Sequence, residues 1–429
     1  PIAARPAGRV CWSSPDATIL TGTGTMFDRE IYATRREGLA QTLGRGLVLL
    51  TGNADSPRNY ADNVYPFRQD SHFLYYAGVS QAGMALLIEP DGRAVLYGTP
   101  EHPDDVIWFG PHPTLEDHGE AAGVDATAPM EGLLERLASL TTDGNGVHYL
   151  PPYRASRRFS LGALFGIDPR EVDQGVSTEL TAAVAAQRSI KEEAEIAEME
   201  DALAVTAKMY RATMQNAEPD RTEAEIAAVH AAAARASDRQ QAFNPIVTVC
   251  GDVLHNSSYA NTLMEGDLLL VDSGAESPAF YASDITRTMP VTGKFSSQQR
   301  DIYEVVLAAN LAAIEAAAPG VTNRELHLIA ARTIVSGLKN IGLMKGNVDK
   351  AVEAGAHALF FPHGIGHMIG LDVHDMEDLG DVVGYDPGEE RSSQFGLNAL
   401  RMAKKLEPGF VITIEPGIYF IAALFERWE

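Results

Sequence analysis

The chain has 429 residues, a length for two or three domains at roughly 150 residues each, and 45% of them are hydrophobic. Its two cysteines exclude a fold built on disulfides and favour a reducing, cytoplasmic location. A formal net charge of −24 argues against a nucleic-acid binder, and no apolar run approaches the roughly 20 residues that span a membrane.

The first third of the chain predicts an extension followed by a mixed α/β domain. Residues 1–25 lack the features of a secretory signal, and we expect a loosely ordered extension there. The apolar spacing then predicts a helix over 28–43 and a buried strand over 47–50. A Pro-Asp-Gly turn between the apolar runs 84–88 and 94–97 predicts a hairpin.

The rest of the chain alternates helix pairs with strand pairs, twice over. Four helix starts have capping-box spacing, namely Ser189 with Glu192, Thr222 with Glu225, Ser296 with Gln299, and Thr322 with Glu325. The expected helices cover 192–216, 223–236, 298–317 and 323–341. The strand-like runs cover 246–249, 267–271, 281–288 and 410–414. This repeat predicts an α+β domain of two similar halves, with helices backing an antiparallel sheet.

Two aspartates stand in apolar surroundings and are candidates for a metal site. Asp272 ends the run 267–271, and Asp284 lies within the run 281–288. If these runs pair as a hairpin, the two carboxylates converge. A carboxylate in an apolar strand is costly unless it is paired or bound to a metal. Either aspartate alone can also be read as a turn cap or a surface ion pair.

Three histidines and one glutamate extend the candidate set. His363, His367 and His374 fall within twelve positions, interleaved with glycines that permit close backbone approach. In an extended segment His363 and His367 point the same way, so that one can bind a metal while the other faces a substrate. Glu415 ends an apolar run before Pro-Gly and could, by itself, be a solvated acid in a turn.

Taken together, two aspartates, one histidine and one glutamate form a carboxylate-rich set with a single imidazole. Such a set suits Mn²⁺, Co²⁺, Fe²⁺ or Zn²⁺ in a paired site, whereas a structural zinc site would use more Cys or His. Paired ions can hold a hydroxide and polarise a carbonyl, which is hydrolase chemistry.

The motifs that hold these residues resemble the aminopeptidase P and prolidase family of pita-bread metallopeptidases. They are Leu270-Val271-Asp272-Ser273-Gly274, Ala282-Ser283-Asp284-Ile285-Thr286, His363-Gly364-Ile365-Gly366-His367, Val373-His374-Asp375 and Ile414-Glu415-Pro416-Gly417-Ile418-Tyr419. Residues 67–71 and 107–110 resemble the N-terminal domain of aminopeptidase P proteins, and 188–196 resembles the entry to the catalytic domain. The resemblance implies an α+β architecture, with a mixed α/β domain over 26–180 and a pita-bread domain of pseudo-twofold αβ halves over 181–429.

The resemblance also implies a role for each site residue. The implied metal ligands are Asp272, Asp284 (bridging both ions), His367 and Glu415. The residues implied to line the substrate pocket and to act in catalysis, by stabilising the developing charge, are His255, His363 and His374. Glu415 would also orient or deprotonate the attacking water. The implied cofactor is two divalent ions, with Mn²⁺ the first choice and Co²⁺ or Zn²⁺ the alternatives.

The implied substrate is a peptide with proline second, cleaved before the proline. A bond to proline is a tertiary amide without N–H, so an enzyme that reads that donor cannot recognise it. Trp108 would reach the active site of a neighbouring subunit, which implies a homodimer or homotetramer. Neither a nucleic acid nor a membrane is an expected partner.

Two departures from the family keep alternatives open. The aspartates lie twelve positions apart, one more than the family pattern, and the family's fifth ligand, a glutamate on a later strand, has no counterpart before Glu429. The sequence therefore predicts a catalytic domain that lacks its C-terminal strand. The alternatives are an Xaa-Pro dipeptidase, an inactive peptide-binding or partner-binding module and a creatinase-like amidinohydrolase. A methionine aminopeptidase would lack so large an N-terminal domain.

Overall fold

The computed structural model describes residues 26–100, 102–140 and 146–428, and the chain divides into two compact units between Val184 and Ala185. The extension predicted over 1–25 lies outside the described residues, and the predicted domain boundaries stay predictions. None of the helices in the described part is long and apolar enough to cross a membrane.

The first unit is a mixed α/β domain. Its helices are α1 (Arg29–Leu43), α2 (Ser71–Ala77), α3 (Asp105–Phe109), α4 (Leu115–Ala122), α5 (Met130–Leu140), α6 (Ala155–Phe165) and α7 (Thr178–Ser189), which crosses the division. Its strands are β1 (Leu47–Thr51), β2 (Ala85–Ile88), β3 (Ala94–Gly98), β4 (Ala126–Pro129) and β5 (Val147–Tyr149), in the order β4-β3-β2-β1-β5.

Both parallel and antiparallel pairs build this sheet. The hairpin predicted around Pro90-Asp91-Gly92 is confirmed, because β2 and β3 pair antiparallel with Leu86 opposite Leu96. The pairs β1–β5 and β3–β4 are parallel. Leu133 and Leu137 of α5 are buried with Leu49 and Leu87 of the sheet, which gives this unit its own apolar core.

The second unit has two helix pairs and, among its described residues, one three-stranded sheet. Its helices are α8 (Glu193–Asn216), α9 (Glu223–Arg235), α10 (Ser297–Ala316), α11 (Asn323–Asn340), α12 (Val348–Glu353) and α13 (Ala422–Trp428). Its strands are β6 (Ile246–Thr248), β7 (Leu268–Ser273) and β8 (Ile285–Pro290), paired antiparallel in that order.

The helix pairs α8–α9 and α10–α11 repeat the same local design. Thr222 and Thr322 each cap the second helix in a reciprocal box with the glutamate three residues later. The N–H of Asp220 donates to the carbonyl of Leu263, and that of Gly320 donates in the same way to Leu406. Equivalent connectors therefore make equivalent long-range contacts, as expected of pseudo-twofold halves.

Two of the local predictions in this unit are wrong at this level. Ser189 does not cap α8, because its hydroxyl donates to the carbonyl of Ala185 within α7, and the box at α8 joins Glu192 to Glu195. The run 410–414 is not a strand in the described structure, where Ile412 makes only an isolated bridge with Met368. The predicted boxes at α9, α10 and α11 are confirmed.

Candidate metal centre

Asp272 and Asp284 are brought together by the β7–β8 hairpin. Asp272 is the fifth residue of β7 and lies opposite Thr286. Asp284 was expected inside a strand but directly precedes β8, and the register of the hairpin continues beyond it in an isolated bridge between Glu276 and Ala282. The expected convergence of the two aspartates survives this difference, since the hairpin still brings Asp284 within electrostatic range of Asp272.

His367 and Glu415 come from two segments that run side by side. The N–H groups of Thr413 and Glu415 donate to the carbonyls of His367 and Ile365, at 2.9 and 2.8 Å. Gly366 is needed between them, because a Cβ added there would lie 2.1 Å from the carbonyl oxygen of Thr413. The glycines beside the histidines thus allow one backbone to touch the other.

The side chains of these segments and of the hairpin meet at one point. Nε2 of His367 lies 3.3 Å from Oδ2 of Asp284 and 3.2 Å from Oε1 of Glu415. One ligand atom from each of these three residues lies within 4.8 Å of the other two. Separations of this size are what a single ion coordinated by all three at about 2 Å requires.

His367 is oriented by its other ring nitrogen. Nδ1 lies 2.9 Å from the carbonyl oxygen of Met368 and donates to it, which directs Nε2 toward the carboxylates. This is the arrangement by which proteins hold a metal-binding histidine in one tautomer. Although burial lowers the pKa of His367, hydrogen bonds with Asp284 and Glu415 raise it overall to about 10. In the absence of an ion, a proton therefore takes the position between the carboxylates.

The carboxylates are crowded enough to need a cation. Burial raises the pKa of Asp272, and the negative charge of Asp284 adds to it, giving about 7. Oδ1 of Asp272 is buried and has no hydrogen-bond partner among the described residues. An orphaned carboxylate oxygen beside two further acids fits a divalent ion, which would satisfy it and offset the repulsion.

The other three candidate histidines differ in how closely they approach this cluster. The ring of His374 stacks on His367 with centroids 3.8 Å apart. His363 lies four residues before His367 in the same non-helical segment, and Nε2 of its ring is 3.2 Å from the hydroxyl of Tyr419. His255 lies in an exposed turn, and its charge contributes to a lowered pKa of His363, for which burial is the main cause. Trp108 lies in α3 of the first unit and is 77% exposed.

Two polar residues support the cluster without having been predicted to do so. The hydroxyl of Thr413 donates to Oε1 of Glu415 at 2.7 Å, and Tyr419 contacts His363 as described above. Thr413 stands two residues before Glu415 and Tyr419 four residues after it, so the motif itself was the signal. The partner of Tyr419 could not be read from the sequence, because His363 lies more than fifty residues away.

We expect Gly366→Ala to weaken metal binding and catalysis. The added methyl group would force the Thr413 carbonyl away and separate His367 from Glu415, at a cost of about 1–3 kcal/mol. The expected result is a roughly tenfold or larger rise in the dissociation constant for Mn²⁺, measured by calorimetry. Gly132→Ala in α5 is the control, because its Cβ would meet nothing closer than 3.7 Å. Equal Mn²⁺ affinities in both variants would contradict this interpretation.

Comparisons with known proteins agree with the site. Residues 197–428 match metallopeptidase family M24, and residues 32–148 match the N-terminal domain of aminopeptidase P. An Xaa-Pro aminopeptidase of Escherichia coli is 31% identical over 408 residues, which cover 91% of this chain and 87% of that protein. A human Xaa-Pro dipeptidase is 30% identical over 427 residues, which cover 92% of this chain and 82% of the dipeptidase.

Solved structures agree in the same way. Zinc-substituted aminopeptidase P of Escherichia coli, in complex with product, superimposes with a TM-score of 0.78 at 29% identity, covering 92% of this chain and 88% of that one. An aminopeptidase of Pseudomonas aeruginosa gives a TM-score of 0.77 at 29% identity, with 92% and 87% coverage.

The fold and the carboxylate–histidine cluster together define a metal-dependent peptidase with an N-terminal mixed α/β domain and a pita-bread catalytic domain. The chain belongs to metallopeptidase family M24, in its aminopeptidase P and prolidase group. The expected fold class is thereby confirmed, and so is the use of divalent metal ions.

Proposed function

We propose that this chain is an Xaa-Pro aminopeptidase, which releases the N-terminal residue from peptides with proline at the second position. The observation that carries the proposal is the meeting of Asp284, His367 and Glu415 in a chain 31% identical to an Xaa-Pro aminopeptidase. The domain division that goes with it is an N-terminal domain over 26–180 and a catalytic domain over 181–429.

Four residues would hold the ions in this proposal. The ligands would be Asp272, Asp284, His367 and Glu415. The preferred ion is Mn²⁺, with Co²⁺ or Zn²⁺ as alternatives, because oxygen-rich donor sets suit Mn²⁺. When bound, divalent ions supply Lewis-acid activation of the scissile carbonyl and of the attacking water.

Glu415 is suited to receive or orient the proton of that water. Burial raises its pKa, but the hydrogen bonds from His367 and Thr413 and the charge of His367 together lower it further, so the net shift is downward. Glu415 is therefore ionised near neutral pH, and Thr413 holds one of its oxygens in place. A fixed, ionised carboxylate is what general-base catalysis requires.

The proline nitrogen must gain a proton as the bond breaks, and the pocket histidines differ in their ability to provide it. Nδ1 of His363 donates to the carbonyl of Gly364, and its Nε2 accepts from Tyr419. Burial also lowers the pKa of His363, which leaves it neutral. His363 therefore binds the substrate as a fixed neutral ring, and His374 and His255 are the better candidates for the proton donor.

The remaining parts of the proposal concern assembly and location. Trp108 and its neighbours Ile107 and Phe109 are exposed on a short helix, and exposed aromatic side chains are typical of surfaces that meet another subunit. We therefore propose a homodimer or homotetramer in which Trp108 completes a neighbouring active site. A cytoplasmic location agrees with the low cysteine content.

The test is hydrolysis of an Xaa-Pro dipeptide and of an Xaa-Pro-Yaa tripeptide, with added Mn²⁺ and with a chelator. We expect cleavage of the tripeptide before proline, loss of activity with the chelator and recovery when Mn²⁺ is restored. Cleavage of the dipeptide alone would favour an Xaa-Pro dipeptidase, the activity named for the human relative. A folded protein that cleaves neither peptide would contradict the proposal and favour a peptide-binding module.

A further inference from the structure

Helix α8 carries two buried polar side chains that face the β7–β8 hairpin. Thr206 and Tyr210 lie four residues apart, so they project from the same face of the helix. Both make hydrogen bonds to positions beside the two aspartates of the candidate metal centre. Neither residue stands out in the sequence, because α8 is an ordinary amphipathic helix.

Tyr210 lies between the two strands. Its hydroxyl is 3.0 Å from the carbonyl oxygen of Val271 and also within hydrogen-bonding distance of that of Ile285. Val271 directly precedes Asp272, and Ile285 directly follows Asp284. The ring is held edge-on against His230, at a centroid distance of 5.2 Å, so the hydroxyl has little freedom to move.

Thr206 makes a second set of hydrogen bonds to the same two backbone segments. Its Oγ1 lies 2.7 Å from the hydroxyl of Ser283, the residue before Asp284. It also accepts the N–H of Ala275, three residues after Asp272, at 2.9 Å. The two aspartates are thus bracketed by anchors that start from one helix.

Between these hydrogen bonds the two backbone segments of the hairpin are in direct contact. A Cβ added at Gly274 would lie 1.6 Å from the carbonyl oxygen of Ser283, so no side chain separates the backbones there. The contact and the two anchors leave the hairpin little freedom to open. Two carboxylates that repel each other would otherwise tend to move apart when no cation is present.

We infer that Thr206 and Tyr210 are positioning residues that fix the separation of Asp272 and Asp284 before metal binds. This inference rests on the proposed function, in which both aspartates are ligands. When the ligand side chains are already held in the binding geometry, none of the binding free energy is lost in ordering them. Removing either hydroxyl loosens the pair and weakens metal binding, although no ligand is changed.

The test compares Tyr210→Phe with Tyr385→Phe in the full-length chain. Tyr385 is also a buried phenol that donates to a main-chain carbonyl, that of Leu400, at 2.7 Å. The dissociation constant for Mn²⁺ is measured by calorimetry on metal-free protein, and the coupling of bound Mn²⁺ ions by electron paramagnetic resonance. We expect Tyr210→Phe to bind Mn²⁺ roughly tenfold more weakly or worse, with an altered coupling, and Tyr385→Phe to match the wild type.

A second pair of variants tests the same inference in case Tyr210→Phe does not fold. Thr206→Val removes the hydroxyl and keeps the shape, whereas Thr206→Ser keeps the hydroxyl. We expect weak Mn²⁺ binding in the first and near wild-type binding in the second. Wild-type Mn²⁺ affinity and coupling in Tyr210→Phe or in Thr206→Val would overturn the inference. A wild-type chain that binds no Mn²⁺ would instead contradict the proposed function itself, so the two failures are distinguishable.

Discussion

Asp284→Ala is expected to remove activity and metal together. Asp284 contacts His367 directly and raises the pKa of Asp272, so its loss separates the two parts of the cluster. We expect kcat/KM for an Xaa-Pro-Yaa peptide to fall by about 10³-fold or more, as for groups that act as a unit. Metal content after dialysis, measured by plasma mass spectrometry, should fall with it.

The control for this variant is Asp301→Ala, which removes an exposed acid from α10 and should change neither quantity. A thermal unfolding curve establishes that Asp284→Ala is folded, which matters because Asp284 sits at the start of β8. Full activity in folded Asp284→Ala would refute the assignment of this residue as a ligand.

Asp375→Asn is expected to destabilise the second unit more than any exposed substitution. The carboxylate lies 2.6 Å from Nη2 of Arg188 and 2.9 Å from Nζ of Lys191, and all three side chains are 1% exposed. Asparagine removes the counter-charge of buried Lys191 and leaves buried Arg188 with only the partly exposed Asp372, which costs roughly 3–5 kcal/mol in the free energy of unfolding. Urea unfolding, monitored by hydrogen exchange of the amides in α8, measures this cost for the second unit by itself.

Asp372→Asn provides a matched control for the same arginine. Asp372 is also within 3.4 Å of Nη2 of Arg188, but its side chain is 37% exposed. Solvent screens such a pair, so we expect a loss below about 1 kcal/mol. Equal losses in the two variants would mean that burial of the triad is not the source of its strength.

The pH dependence of the Asp375 variant follows from the direction of its pKa shift. Burial raises the pKa of Asp375, but the charges of Lys191 and Arg188 lower it below its ordinary value. Such a carboxyl stabilises the fold above its unfolded pKa of about 3.9 and loses that contribution as pH falls through the folded value. The stability difference between the wild type and Asp375→Asn should be constant from pH 7 to about 5 and shrink below about pH 4.

The sequence anticipated those features that depend on neighbouring residues. The capping boxes at Thr222, Ser296 and Thr322 are confirmed, because a box needs only two side chains three positions apart. The β2–β3 hairpin is confirmed for the same reason, since its turn is encoded locally. The cap at Ser189 was predicted wrongly because Ser189 with Glu192 and Glu192 with Glu195 both have capping-box spacing. The structure uses the second pair.

Individual contacts between distant segments were not predictable from local sequence patterns. The N–H of Ala282, two residues before Asp284, donates to the carbonyl of Gly370, almost ninety residues later. The same holds for the ion pairs of Asp375 and for the reach of Tyr210 to β7 and β8. No local periodicity carries this information, because each contact needs two chain segments to be packed first.

The sequence by itself determined which residue types could bind metal and in what order they occur, because ligand preference is a property of the side chain. Only the tertiary structure decided the charge that each group has. The opposite pKa shifts of Asp272 and Glu415 arise from burial and from the partners brought to each side chain by folding. Two acids with similar intrinsic chemistry thus acquire different properties, and that difference exists only once the hairpin and the His367 segment have met.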